Sequence, residues 1–137
     1  MWIHVARYSF IILFFLLSNA LYSQGLPDSC QLSAERFYLQ LAQDPESLVL
    51  DVRGIEEDRT LGISGAIAAP ELSVLMAIMD TLPEYRTLYV YCSYGDRSEQ
   101  ALQWIRKRYS AYRIFHLKKG FERWQKLQYP IDTLRSP

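Results

Sequence analysis

The residues Cys92 to Ser98 (CSYGDRS) lie between the apolar run Thr87 to Tyr91 (TLYVY) and an amphipathic run of helical spacing. A thiol at the end of a buried strand, followed by a short glycine-containing loop and a helix start, meets backbone N–H donors and the positive end of a helix dipole. Both favour the thiolate, which is the reactive form. A tight turn would aim the amides of Ser93 through Arg97 into one concavity, where they could stabilise an anionic sulfur. Cys92 is therefore the candidate nucleophile, and Ser93, Tyr94, Gly95, Asp96 and Arg97 are the candidate substrate-binding residues. Arg97 would attract an anion at the rim, while Ser93 and Tyr94 would shape the entry. Each has a plainer reading: an inert core cysteine, a surface arginine paired with Asp96 or Glu99, and solvated loop side chains. His116 is the single histidine beyond the N-terminal segment. It falls in a strand close behind the helix that follows the loop, a poor position for a cysteine–histidine dyad.

Asp51 and Arg53 end another apolar run and are candidate supporting residues. They either touch the pocket from a neighbouring strand end or form an ion pair that fixes the following loop. Cys30 could pair with Cys92, resolve an adduct on it, or remain a spare thiol. Trp104, Phe121 and Trp124 read as packing residues rather than a cofactor platform. The 2 Cys are too few for a disulfide scaffold, and with His116 the one histidine beyond the N-terminal segment they cannot complete an ordinary structural zinc site.

Around the loop the pattern alternates. Ser33 can cap a helix through Ala34, Phe37, Tyr38 and Leu41 that Asp44-Pro45 stops. Ser47 to Val52 (SLVLDV) has the short, branched, apolar character of a strand buried on both faces. Arg53 to Thr60 and Gly62 to Pro70 read as loop with room for one short strand. A helix is expected from Glu71 to about Leu82, a strand over Thr87 to Tyr91 and a helix from about Ser98 to Tyr109. A strand over Arg113 to Leu117 and a short helix from Phe121 to Leu127 complete the series. Strands alternating with helices indicate an α/β domain with a mostly parallel central sheet flanked by helices on both faces. Ligands of such sheets bind beyond the carboxyl ends of strands, where Cys92 and Asp51 both lie.

Formal charge is +0 over 137 residues, which gives no reason to expect nucleic acid as a partner. Residues 1–85 hold 4 Lys+Arg against 11 Asp+Glu, and residues 86–137 hold 11 against 4. An anionic substrate would be drawn to the second half if those charges face the site. Alternatively, Arg106, Lys107 and Arg108 close a helix and favour its negative end. The N-terminus has Arg7, then the apolar run Phe10 to Leu17 and small residues at Ser18 and Ala20, the layout of a secretory signal peptide. Residues 1–23 are expected to be that peptide, cut between residues 20 and 25, which makes the product periplasmic or secreted. Membrane contact would follow only from an uncleaved segment, whose apolar core is too short for a spanning helix. One domain is expected over residues 32–134.

The region from Ala34 to Leu134 resembles a single rhodanese domain. LDVRGIEE (Leu50 to Glu57) is similar to the family's Asp-x-Arg block, and Gly65-Ala66 to the end of its Gly-His-Ile-Pro-Gly-Ala segment. CSYGDRS is similar to its active-site loop, and LKKGFERWQKLQYPI (Leu117 to Ile131) to its terminal block. Three departures stand out. Leu61-Gly62-Ile63-Ser64 replaces Gly-His-Ile-Pro, Lys119 replaces the first glycine of a pair, and Gln128 replaces a glycine before Pro130. The related phosphatases and arsenate reductases have a Cys-to-Arg loop longer by one residue. The tighter loop here suits a sulfur atom on the cysteine rather than a phosphoryl group. The resemblance implies a sulfurtransferase that carries a persulfide on Cys92, with no cofactor. Its donor would be a small anionic sulfane-sulfur compound such as thiosulfate, and its acceptor cyanide, a thiol or a protein. Two further readings stand beside it: a non-catalytic rhodanese-like module that binds a partner or carries sulfur, and a thiol-disulfide protein using Cys30 and Cys92.

Overall fold

A computed structural model describes residues 28–137 apart from Tyr85. The signal-like segment lies outside the described residues. After a 3-10 turn at Asp28–Cys30, the chain runs β1 (Gln31–Leu32), α1 (Ala34–Gln43), β2 (Leu48–Asp51), β3 (Leu61–Ile63) and β4 (Ile67–Ala68). It continues α2 (Leu72–Met79), β5 (Thr87–Tyr91), α3 (Asp96–Arg108), β6 (Arg113–Leu117), α4 (Gly120–Lys126) and β7 (Ile131–Thr133). Ser33 caps α1 as its sequence position suggests, accepting a hydrogen bond from Arg36 N at 3.3 Å.

Five strands form one sheet in the order β1-β6-β5-β2-β4, and every pairing within it is parallel. β3 and β7 pair antiparallel in a small separate ribbon. The central strands are covered on both sides because alternate residues of β2 and β5 enter two apolar clusters. Leu50, Leu88 and Val90 pack with Leu75, Met79, Leu102 and Ile105 of α2 and α3. Val49, Tyr89 and Tyr91 pack with Phe37, Phe121 and Trp124 of α1 and α4. This is the α/β architecture anticipated from the alternating pattern.

Several elements differ from expectation, among them β7, a strand of 3 residues where none was expected. The Gly62 to Pro70 region contains β4 and the end of β3, each too short to show a period. β1 is an edge strand of 2 residues, beneath the length at which alternation is legible. α3 begins at Asp96 rather than Ser98, because Gly95 caps it with φ +111°, a left-handed conformation that glycine adopts without steric cost. Asp96 and Arg97 therefore belong to the first helical turn. The topology brings the ends of β2, β5 and β6 to one edge of the sheet, where Cys92 follows β5.

Candidate active site

Alternation along β5 decides where the thiol goes. Tyr91 turns to the α1/α4 face, so Cys92 turns to the other and packs beside Val52 and Ala69, with 2 % of its surface exposed. Its sulfur accepts from two amides, Gly95 N at 3.1 Å and Ser98 N at 3.4 Å. Of the stretch Ser93 to Arg97, Gly95 supplies the short contact, and Ser98, beyond it, supplies the second. Asp96 Oδ1 is 3.9 Å from the sulfur and Ser98 Oγ 3.6 Å.

The loop is held by close backbone approach. A methyl group on Gly95 would collide with the Lys118 carbonyl, and one on Gly120 with the carbonyls of Cys92 and Ser93. Phe121 N donates to Cys92 O at 2.8 Å and Glu122 N to Ser93 O at 3.1 Å. The first amides of α4 thus take up the carbonyls of Cys92 and Ser93, while Gly95 N is the loop amide that meets the sulfur. Lys119 has φ −111°, an ordinary conformation, so losing the first glycine of the pair costs nothing there. Gln128 has φ +56°, so it holds a left-handed conformation where the family pattern has glycine.

Asp51 and Arg53 form the ion pair. Asp51 is fully buried, and its carboxylate accepts from Arg53 Nη2 at 2.5 Å, Arg53 Nε at 2.9 Å, the Arg53 amide at 3.0 Å and Tyr91 Oη at 2.6 Å. Arg53 also donates to Asp58 O at 3.1 Å and Leu61 O at 2.6 Å, and its guanidinium lies 4.5 Å from the Phe121 ring centre. Burial opposes the charge on Arg53, but Asp51 outweighs it and holds the guanidinium pKa above its usual range. Burial, joined by Asp51, pushes the Tyr91 phenol far up. Tyr91 Oη accepts from Ile63 N at 3.1 Å and occupies the space that a side chain at position 62 would need. That accounts for Gly62 in place of histidine.

The loop that Arg53 organises lies over the cysteine loop. Glu57 accepts from the Ser93 hydroxyl and from Gly54 N at 2.6 Å. Arg97 Nη1 lies 3.4 Å from Glu56 and 3.9 Å from Glu57, and Nη2 donates to Pro70 O at 3.3 Å. Burial acts to raise the Glu57 pKa, but the bonds from Ser93 and Gly54, with Arg97 and Arg53 nearby, hold it below the carboxylate range. Arg97 is thus at the rim and already paired, with Glu56 and Glu57 rather than Asp96 or Glu99. Tyr94 is 68 % exposed and, with Ser93, Arg53 and Leu61, lines a cleft of about 480 Å³. A second cleft of about 350 Å³ borders Arg97, Val52 and Trp104. Cys92 lines neither.

His116 was missed as a site residue. It is buried in β6 opposite Val90, and Nδ1 lies 3.2 Å from Ser98 Oγ, one hydroxyl away from the sulfur. Its position behind the helix was legible, but its contact with Ser98 depends on the α3–β6 packing. Burial lowers its pKa, Lys118 acts the same way and Glu99 opposes them. Cys30 and Cys92 are both free thiols. Cys30 ends the 3-10 turn before β1, and its sulfur accepts from Arg106 Nη1 at 3.7 Å, in the last turn of α3, whereas Cys92 lies at the start of that helix, where Ser98 N reaches its sulfur. The ten or so helical residues between those two ends of α3 span roughly 15 Å, beyond the ~7 Å a disulfide spans. Among the described residues no cluster of three or more His, Cys, Asp or Glu is placed to hold a metal, and no helix is long and apolar enough to cross a membrane.

The rhodanese-like domain family model matches residues 33–127. A thiosulfate sulfurtransferase from Pseudomonas aeruginosa superposes with TM-score 0.67 at 21 % identity, over 77 % of this chain and 21 % of its own. This chain therefore spans about a fifth of that protein. A rhodanese-related protein from Thermoplasma volcanium gives TM-score 0.61 at 24 % identity, covering 74 % of this chain and 96 % of its own. A rhodanese-like domain from Anabaena gives 0.64 at 24 %, covering 77 % and 80 %. No curated protein matches the sequence.

Two outcomes follow. Asp51→Asn leaves Arg53 buried without its counter-charge and should cost about 3–5 kcal/mol in urea unfolding; a loss under about 1 kcal/mol would refute the role given to the pair. The unfolded chain protonates His116 near its ordinary value of 6.5, whereas the folded protein does so only at lower pH. Between the two the unfolded state binds more protons, so this share of stability is full above that value and falls as pH drops through it. His116→Asn should flatten the dependence, read as urea midpoints between about pH 7.5 and about pH 5.5.

Proposed function

We propose, from the premise that the chain belongs to the rhodanese-like domain family, that it is a sulfurtransferase working through a persulfide on Cys92. The observation that carries this reading is the sulfur held by the amides of Gly95 and Ser98 in a loop with four residues between Cys92 and Arg97. Such a cup suits one further sulfur atom.

The Cys92 thiolate attacks the outer sulfur of thiosulfate. A Cys92–sulfur bond forms, the sulfur–sulfur bond of the donor breaks, and sulfite leaves with its electron pair. Cyanide or a thiolate then attacks the terminal sulfur, the persulfide bond breaks, and thiocyanate or a new persulfide departs while Cys92 returns as thiolate. Neutral backbone donors stabilise both anionic forms without reorganising, so no base is required once the thiolate exists. The acceptor is a small anion, a thiol or a cysteine-bearing protein. We place this activity outside the cytoplasm, in a domain over residues 32–134 released from the signal-like residues 1–23.

A second reading is supported by the closed state of the site. Cys92 is 2 % exposed, and the Glu57–Ser93 and Arg97–Glu56 contacts cover its loop. A module that binds a partner without turnover would keep such a cover shut. The thiol-disulfide reading has less support, because the two sulfurs are not juxtaposed.

Intact mass after incubation with thiosulfate separates these. One added sulfur that cyanide removes, retained in Cys30→Ser and lost in Cys92→Ser, is the expected result; loading that survives Cys92→Ser would sink the mechanism. No loading from any sulfane donor would favour the binding module. Loosening the cover should help the reaction: Glu56→Gln removes the nearer of the two carboxylates beside Arg97 and should raise the loading rate about two- to fivefold at low salt, the scale of an exposed ion pair. The gain should shrink at about 1 M salt, and a salt-independent gain would point to a cause other than the Arg97 charge.

A further inference from the structure

The buried side chains of Ser98 and His116 have no part in the reaction as written, yet the Ser98 hydroxyl lies beside the reacting sulfur. Ser98 Oγ has three polar neighbours: Gly95 O at 2.9 Å, His116 Nδ1 at 3.2 Å and Cys92 Sγ at 3.6 Å. Ser98 is fully buried and His116 is 1 % exposed. Among the described residues, His116 Nε2 is buried without a hydrogen-bond partner.

We propose that Ser98 and His116 form a hydroxyl–imidazole pair that delivers a third hydrogen bond to the Cys92 sulfur once it is anionic, with His116 the residue that positions the hydroxyl. This rests on the reading of Cys92 as a sulfur carrier.

The hydrogen count supports it. A serine hydroxyl has one proton to give. With the imidazole proton on Nε2, a buried N–H would be orphaned, and the hydroxyl would have to choose between Nδ1 and Gly95 O. With the proton on Nδ1, the imidazole donates to Ser98 Oγ, leaving the O–H free to donate onward. What stays unpaired is then only a lone pair on Nε2, the cheaper defect by analogy with backbone groups, where orphaned N–H donors are rarer than under-satisfied acceptors. The second tautomer supplies the hydroxyl from behind whichever way it points.

The hydroxyl then has two targets. While Cys92 is a thiol, Gly95 O is the nearer acceptor. When the thiol proton leaves to solvent, the hydroxyl turns to the thiolate, and a bond to a charged acceptor is roughly twice as strong as a neutral one. Gly95 O is not orphaned by this turn, because Glu99 N donates to it at 3.0 Å. His116 itself takes up no proton, consistent with its burial. The charged groups acting on it are Glu99 of α3 and Lys118 beyond β6, and Asp96 lies beside the sulfur. Its register partners Val90 and Gln31 are uncharged.

The test follows alkylation of Cys92 by iodoacetamide from about pH 5 to about pH 10, in the full chain with Cys30→Ser. Ser98→Ala and His116→Ala should each slow alkylation about tenfold at about pH 7 and converge with the parent at the alkaline limit. His116→Asn, whose amide can stand in for Nδ1–H, should stay within about twofold. A profile unmoved by Ser98→Ala overturns the proposal, and so does His116→Asn behaving like His116→Ala. Imidazole 15N shifts of the unmutated protein should show the proton on Nδ1, and a proton on Nε2 overturns the proposal even if His116→Ala fails to fold. The two readings fail separately. Sulfur loading with an unmoved alkylation profile ends the relay and leaves the transferase. The expected profile without sulfur loading supports the relay as a device for holding a thiolate and ends the transferase.

Discussion

A carboxylate with no access to water governs the arrangement of this site. Asp51 is fully buried, and an isolated ion there would be prohibitive unless its lone pairs were met by donors and its charge by a cation. Tyr91 and Arg53 meet both demands, and each has consequences away from Asp51. Tyr91 must point to the α1/α4 face, which obliges the next residue, Cys92, to point to the opposite one. Arg53 must fold back over β2, and its remaining donors bind Asp58 O and Leu61 O. The loop carrying Glu56 and Glu57 is thereby tied at both ends. One buried charge sets the direction of the Cys92 thiol and the placement of its cover.

The second constraint is the distance between two backbones. Gly95 meets the chain at Lys118, and Gly120 meets it at Cys92 and Ser93, closer than any side chain allows. This interlock lets α4 bind the carbonyls of Cys92 and Ser93, turning those peptide units away from the sulfur. α4 is itself fixed by Trp124, whose ring packs edge-on against Phe37 and Tyr38 of α1. The aromatic face of the domain thus supports a loop that emerges on the other face.

Much of this was legible in the chain. The strand–helix alternation revealed the layers, because buried parallel strands are apolar throughout and helices show their period over ten residues or more. The loop at Cys92 was legible because a strand end, a glycine and a helix start fall within a few residues. Other parts are unreadable locally for physical reasons. Lys119 looks like damage to a glycine pair, yet only the second position needs a positive φ. Gly62 looks like a lost histidine, yet it makes room for the Tyr91 hydroxyl. His116 gives no local sign of its contact with Ser98, since the two meet only when α3 lies across β6. Arg97 gives no local sign of its actual partners, because they come from a loop some forty positions earlier, with Glu56 separated by 41 residues.

That last pairing changes how the site can hold an anion. The charge asymmetry between the halves left two readings open, a positive site or basic residues closing a helix, and at the loop the basic half meets the acidic one. Arg106, Lys107 and Arg108 lie in the last turn of α3, at the far end of a 13-residue helix and roughly 20 Å from its start. With Arg97 paired, the groups nearest the sulfur are amides, a hydroxyl and the Asp96 carboxylate. Fixed dipoles can stabilise a small anion at close range, but their field falls off faster than that of a charge, so they offer little to an anion still in solution. The geometry therefore separates two tasks. Holding charge on the sulfur would belong to the buried loop, and under the proposed transfer a charged donor would be attracted only once Arg97 lets go of the acidic cover.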